Sequence, residues 1–252
     1  MNKEEQLIQK RLIDLASLAD RRSIVTFSDF LNLNELNIYH SSKKELSFVK
    51  CQLFGGYEYA ERQMIAFIPD ALCYNWDYPL QCVDIKPLND RFAEDLGHRD
   101  FLGAVLNLGI ERSKIGDILI TDNGALIFCH ASMTEFLCKE LTRIRHTMVS
   151  CRAVTPGEIE YTPKLESVKG TVASVRLDSL LSLAFGSSRS SLAGLIEGGK
   201  VFVNGKMITS NGYKMKEKDI VSVRGLGRFS YGGVLAETKK GRLYVEVNKY
   251  VS

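Results

Sequence analysis

The six cysteines of this 252-residue chain form no CxxC pair, and none lies beyond Cys151. Cys51, Cys73, Cys82, Cys129, Cys138 and Cys151 are too scattered for a zinc site or a disulfide framework, so they read as reduced, mostly buried thiols. Histidine is scarce too: His40, His130 and His146 have no metal-ligand spacing, and no metal is expected. The opening stretch MNKEEQLIQKRLIDLASLAD has no continuous apolar run, which argues against a signal peptide or membrane anchor there and makes the cytoplasm the expected compartment. No glycine-rich strand-turn-helix precedes a ribose-binding acid, so no cofactor is expected. Repeats and low-complexity tracts are missing as well.

What the chain does have is ample core material, 45% hydrophobic residues, enough for two or three small domains. Its net charge of +3 conceals a split. From Ser174 onward there are 13 Lys and Arg against 6 Asp and Glu, a surplus of +7, while the rest of the chain carries −4. A small basic domain is a candidate for polyanion binding, although solubility alone also accounts for such a surplus.

Residues 1–60 read as a mainly helical segment. Leu7, Ile8, Leu12, Leu15 and Leu18 recur at helical steps, and TFSDFLNLNELNIYH predicts a second helix capped by Thr26 or Ser28. Residues 61–155 follow the order βαββαβ: LQCVDIKPL, a helix from HRDFLGAVLNLGI, strands IGDILIT and ALIFCHA around an Asp-Asn-Gly turn, a helix from SMTEFLCKELTRI, and HTMVSCRAV. That is the ferredoxin-like arrangement shared by many RNA-recognition modules. Such a module displays aromatics on its central strands, and ALIFCHA supplies only Phe128, so a scaffold or protein-contact role stays open beside RNA binding. Residues 156–173 read as a linker, and 174–252 as a terminal domain of two helices and a set of strands. The fold class is α+β.

Within that last domain, SSRSSLAGLIEGGKVFVNG encodes a short helix with a serine cap, an apolar stripe of Leu192, Leu195 and Ile196, and a glycine exit at Gly198 and Gly199. Its charges sit at the wrong ends: Arg189 at the positive start, Glu197 at the negative end. Open amides, the hydroxyls of Ser188 and Ser190 and a guanidinium gathered at one terminus suit an anion. A solvated arginine beside an ordinary cap is the other reading. Asn204-Gly205 predicts a two-residue hairpin turn placing Val203 opposite Lys206 and Lys200 opposite Thr209. Arg176 opens the preceding helix, Arg224 and Arg228 end the next strand, and Lys239, Lys240 and Arg242 crowd the last turn.

The run RLDSLLSLAFGSSRSSLAGLIEGGKVFVNGKMI, with KDIVSVRG after it, resembles the S-four (αL) RNA-binding domain first known from a small-subunit ribosomal protein. The whole chain resembles the YlmH family, with FGGYEYAER, HRDFLGAVLNLGIERSKIGDI, GTVASVRLD and GLGRF carrying the likeness; Leu226 stands where arginine is common. The resemblance implies an RNA-recognition-like middle domain, a C-terminal S-four domain, and binding of structured RNA through Arg176, Ser188, Arg189, Lys200, Asn204 and Lys206, to which Ser190, Arg224 and Arg228 are added here as candidate contacts. His98 and Arg99 are candidates for a second contact. It further implies rRNA or tRNA as partner, the large ribosomal subunit, quality control of stalled nascent chains, and a link to cell division.

Enzymatic readings find little support. GHRD is no tRNA-synthetase motif, and YKMKEKD is placed as the turn before DIVSV. Asp178 in VRLDSLLSL opens a helix and reads as a structural carboxylate, not as the catalytic acid of a pseudouridine synthase. A kinase loop needs Asn where Val105 stands. The expectation is a non-enzymatic RNA-binding protein; the alternatives are a divergent RNA-modifying enzyme of pseudouridine-synthase or rRNA-methyltransferase type, or a protein-interaction adaptor.

Overall fold

The computed structural model describes residues 3–70, 74–154, 161 and 163–251. The chain divides into two compact units, Met1–Glu160 and Tyr161–Ser252. Among the described residues no helix is long and apolar enough to cross a membrane.

The first unit opens with helix α1 (Lys3–Arg22), whose acids Glu4 and Glu5 and bases Arg21 and Arg22 match the helix dipole at both ends. Leu12, Ala16 and Ala19 form its buried stripe. Strand β1 (Thr26–Phe27), helix α2 (Leu33–Ser41), β2 (Lys50–Phe54) and β3 (Met64–Ile68) follow, with the strands in the antiparallel order β1-β3-β2. This small sheet corrects two expectations. A boundary after residue 60 would cut β2 from β3, which pair along their full lengths. The cap of α2 is Asn32, not Thr26 or Ser28: its side chain accepts from the amides of Asn34 and Glu35, and Glu35 returns a carboxylate to the Asn32 amide at 2.7 Å. That reciprocal box satisfies two orphan donors. Ser28 is instead drawn into the sheet, where its hydroxyl accepts from the Ile65 amide.

The middle region comprises β4 (Leu80–Pro87), α3 (His98–Asn107), β5 (Ile115–Thr121), β6 (Gly124–His130), α4 (Thr134–Glu140), β7 (Arg143–Ile144) and β8 (Thr147–Val154). The sheet order β5-β6-β4-β8-β7, antiparallel throughout, is the expected ferredoxin-like topology with one added edge. The second helix is shorter than its sequence pattern implies. Arg143 and Ile144 leave it to pair with Met148 and Thr147. Helices α3 and α4 cover one face through Phe101, Val105 and Leu137 against Val83, Ile85 and Ile127.

The opposite face is closed where an RNA-recognition module would display its aromatics. Phe128 is fully buried and stacks on Tyr57 at 5.1 Å. Gly56 lies so close above Phe128 that a Cβ there would stand 2.2 Å from the ring, and Phe30 fills the space beside Gly116, where a Cβ would meet it at 2.7 Å. A register shift between Ile115 and Ile118 re-aims Asp117 at the N-terminal segment. Its carboxylate accepts from the Tyr57 hydroxyl at 2.8 Å and from the amides of Glu61 and Arg62 at 2.7 and 3.0 Å. The Arg62 guanidinium, with its pKa lowered chiefly by burial, donates to the carbonyls of Ile115, Phe30 and Arg112. Arg112, pushed down to about 10 by burial and then by the charge of Arg62, donates to Ile115 and Gly116.

The second unit is a six-stranded antiparallel sheet with two helices on one face. Its elements are β9 (Leu165–Val172), α5 (Leu177–Phe185), α6 (Arg189–Glu197), β10 (Val201–Val203), β11 (Lys206–Met207), β12 (Ile220–Val223), β13 (Gly227–Glu237) and β14 (Leu243–Tyr250), in the order β11-β10-β12-β13-β14-β9. Leu177, Leu180, Leu181, Leu192 and Ile196 meet Val201, Val221, Phe229, Val245 and Val247 in its core. Strand β9 corrects the linker assignment. Leu165–Val172 pairs with β14 over eight residues, burying Val172 and packing Val168 on the core. Residues 156–160 and 162 of the expected linker lie outside the described residues.

The five described cysteines are free, but only Cys82 and Cys129 are buried; Cys51, Cys138 and Cys151 are half-buried. Burial pushes the thiols of Cys82 and Cys151 up to about 12 and that of Cys129 to about 11. These are poor nucleophiles at neutral pH.

Substituting Asp117→Ala removes the acceptor of three hydrogen bonds and should destabilise the first unit by about 2–4 kcal/mol. Urea unfolding should show a lower midpoint at unchanged slope. A midpoint equal to that of the wild type would refute the role given to this carboxylate.

Candidate nucleic-acid interface

Helix α6 begins at Ser188, whose hydroxyl accepts from the Ser191 amide at 3.2 Å and lies 3.1 Å from the Ser190 hydroxyl. The turn before it is fixed by Gly186 in left-handed conformation (φ 63°) and by the Ser182 hydroxyl donating to the Ser187 carbonyl. Ser188 is thus the serine cap expected for this helix. There is no acid in the first turn. Arg189 is exposed and forms no ion pair with a described residue, and Ser188 and Ser190 beside it are exposed too, while the Ser188 hydroxyl is engaged with the Ser191 amide and with the Ser190 and Ser191 hydroxyls. An uncompensated cation there costs about 0.3–1 kcal/mol. The helix exits through Gly199 (φ 67°), with Gly198 remaining right-handed.

The hairpin behind it is a two-residue turn with Asn204 (φ 49°) and Gly205 (φ 77°) both left-handed, the twist that matches flanking strands. Val203 faces Lys206 as the turn type demands. The side chain of Asn204 is committed inside the domain: Nδ2 donates to Asp219 at 2.8 Å and Oδ1 accepts from the Ile220 amide at 2.9 Å. Lys200 does not lie opposite Thr209, because the ladder ends at Phe202 and Met207, with one further bond from Ile208 to Val201. Its neighbour is Arg224, whose amide donates to the Lys200 carbonyl at 3.0 Å.

Arg224 and Arg228 extend this cationic line over aromatic faces. The guanidinium of Arg224 stands 5.4 Å from the Phe202 ring centre, and that of Arg228 stands 4.9 Å from Tyr250. Phe202, Ser222 and Arg228 share one register row across β10, β12 and β13. Lys249, a cation that sequence reading passed over as part of a core strand, lies 5.6 Å from the Phe185 ring, next to the start of α6. An alternating strand hides such a residue because its own face is decided only by pairing with Phe229.

Arg176 is not gathered with Ser188 and Arg189. It is the N-cap residue of α5, and its guanidinium pairs with Asp178 at 3.2 Å. Asp178 donates its amide to the Asn211 carbonyl, and Asn211 in turn donates to Glu197 at the end of α6, about 12 Å from Arg189 at 1.5 Å rise per residue. His98 and Arg99 also diverge. The His98 pKa is lowered by burial and then by the Arg112 charge, whereas Arg99 faces a groove with Asn107, Arg143 and Arg145. Asp100 closes the start of α3 by accepting from the Gly97 amide at 2.9 Å. Among the described residues no group of three or more His, Cys, Asp or Glu is placed to hold a metal.

A cationic helix start and hairpin on a helix-backed sheet suit a polyanion, and comparison with known proteins gives the family. Residues 4–72 match the family description "YlmH, N-terminal", residues 74–158 match "Putative RNA-binding domain in YlmH", and residues 175–221 match "S4 domain". The chain belongs to the YlmH family of RNA-binding proteins with a C-terminal S4 domain. It is 26% identical over 242 residues to "Ribosome-associated protein quality control protein P2" of Bacillus subtilis (strain 168), an alignment spanning 95% of this chain and 93% of the relative. The solved "Cell division protein ylmH from Streptococcus pneumoniae" shares the fold, with a TM-score of 0.51 and 21% identity over 63% of this chain and 95% of that one.

The Asn204 turn offers a graded test. Asn204→Ala loses both side-chain bonds and leaves a Cβ residue at positive φ, so it should cost about 2–3 kcal/mol, while Asn204→Gly relieves the backbone and should cost less. Thermal unfolding of the two variants should keep that order; a reversed order would contradict the assignment.

Proposed function

We propose that this protein is a non-enzymatic, cytoplasmic RNA-binding factor of the ribosome, whose S4 domain grips phosphates of rRNA or tRNA during quality control of stalled nascent chains on the large subunit. The observation carrying this reading is the α6 terminus, where Arg189 stands exposed beside the exposed serines Ser188 and Ser190 with no acid in the first turn. Lys206 at the hairpin and the line of Lys200, Arg224 and Arg228 add further phosphate contacts. Asn204 acts by holding the hairpin in shape, and Arg176, paired with Asp178, makes a peripheral contact. The name of the Bacillus subtilis relative supports the ribosomal setting.

Phosphate contacts release counterions. With about four to six phosphates neutralised, log affinity for rRNA should fall with log salt at a slope of roughly −3 to −5, using about 0.7–0.9 per contact. The double variant Arg189→Ala, Lys206→Ala should bind at least about tenfold more weakly, uniformly across RNA sequences. A flat salt response, or unchanged affinity of that variant, would overturn the reading. Crosslinking in cells followed by sequencing of the attached RNA should recover rRNA or tRNA; messenger alone would count against it.

A further inference from the structure

The middle domain's sheet is closed at Phe128 by Tyr57, Gly56 and Phe30, so an aromatic-stacking contact with RNA is blocked there. Its helical side holds a different feature. Between α3 and the β7–β8 turn runs an open groove of about 460 Å³, whose border includes Arg99, Asp100, Gly103, Asn107, Arg143 and Arg145.

Two positions on this groove are locally unfavourable: one has no packing reason among the described residues, and the other is held in place by the tight β7–β8 turn and its bonds. Gly103 sits within α3, where glycine is a worse helix former than alanine, yet no atom lies within 4 Å of the place its Cβ would occupy. Packing does not require it. Arg145 occupies the left-handed region (φ 51°), which suits glycine or asparagine at a tight turn. The turn is nevertheless held firmly. Arg143 Nε donates to the Arg145 carbonyl at 2.6 Å, and Arg145 Nε meets Asp100 Oδ1 at 2.9 Å while its side chain remains 57% exposed. Asp100 is thereby neutralised, its other oxygen being engaged by the Gly97 amide. Arg99 has no ion pair with a described residue, and of the carboxylates on the groove only Glu140 is unpaired among them.

We infer that this groove is a second anion site, shaped for the phosphodiester backbone of an RNA strand; the inference rests on the RNA-binding reading above and extends it to the middle domain. The missing side chain at Gly103 lowers the groove floor so that a sugar-phosphate chain approaches the helix closely. Arg99 and Arg145 present planar forks of the geometry that phosphate oxygens accept, and the Asn107 amide adds a neutral donor. An acidic peptide is the competing occupant. It is the weaker fit because a lowered floor gains nothing for long carboxylate side chains that reach the arginines from above.

The test uses the full-length protein with two fluorescent probes, a mixed-sequence RNA hairpin and a polyglutamate peptide, followed by anisotropy. Arg99→Glu removes the free cation, and Gly103→Leu fills the floor with a better helix former, so its thermal midpoint should not fall. Each should weaken hairpin binding on the order of three- to tenfold, and Glu140→Gln should tighten it. If both groove variants bind the hairpin like the wild type while Arg189→Ala, Lys206→Ala loses affinity, the groove proposal fails and the S4 reading stands. If the groove variants lose only the peptide, the site belongs to a protein partner and the proposal is overturned. Should the wild-type chain bind no RNA, both readings fall together.

Discussion

The carboxylate of Asp117 is the constraint on which the first unit depends. One bulged strand residue collects a tyrosine hydroxyl and two backbone amides from the N-terminal segment, and beside it two half-buried guanidiniums donate to the carbonyls that meet there. Buried polar groups of this kind are costly unless every one is paired, so the network admits one docking geometry and few others. Docking in that geometry lays Tyr57 and Phe30 on the sheet. The face that gives ferredoxin-like modules their reputation as RNA readers is thus spent on internal packing, and whatever the middle domain recognises must meet its helical side or its edges.

The second unit follows the opposite logic. Its helices, turns and strands are largely consistent locally, and two departures are electrostatic: Arg189 at a helix start and Glu197 at a helix end. Each departure costs less than the burial of one leucine such as Leu192, worth about 1.5–3 kcal/mol. The core therefore carries the fold with margin to spare, and the surface charges are left to be arranged for a polyanion.

Much of this was legible from residue order because local chemistry decides it. The Asn204-Gly205 hairpin, the two S4 helices and the βαββαβ order each rest on short-range patterns that tertiary contacts reinforce. The misreadings share one cause, the dominance of partners distant in sequence. Thr26 and Ser28 look like caps until β3 claims them; Arg143 and Ile144 look helical until they fold back on Thr147; Leu165–Val172 looks like a linker because its Gly170 and exposed polar residues conceal an edge strand that only β14 stabilises. For the site, residue types were readable but their grouping was not. Arg176 caps α5 and is linked through Asp178 and Asn211 to the Glu197 end of α6, away from Arg189 at its start, and Lys249 reaches the Phe185 ring at the end of α5 from the far end of the chain.

The hydrogen bonds of Asn204 also bear on how the molecule ages. Asparagine followed by glycine is the dipeptide most prone to deamidation, since the glycine nitrogen can attack the side-chain carbonyl, expelling the amide nitrogen as ammonia and closing a succinimide ring that water then opens. Three such pairs occur here, at Asn123, Asn204 and Asn211. The carboxamides of Asn204 and Asn211 are tethered by Asp219, Ile220 and Glu197, whereas Asn123 lies exposed at the tip between β5 and β6. Chemical wear is thereby steered toward the middle domain and away from the hairpin that carries the basic tip.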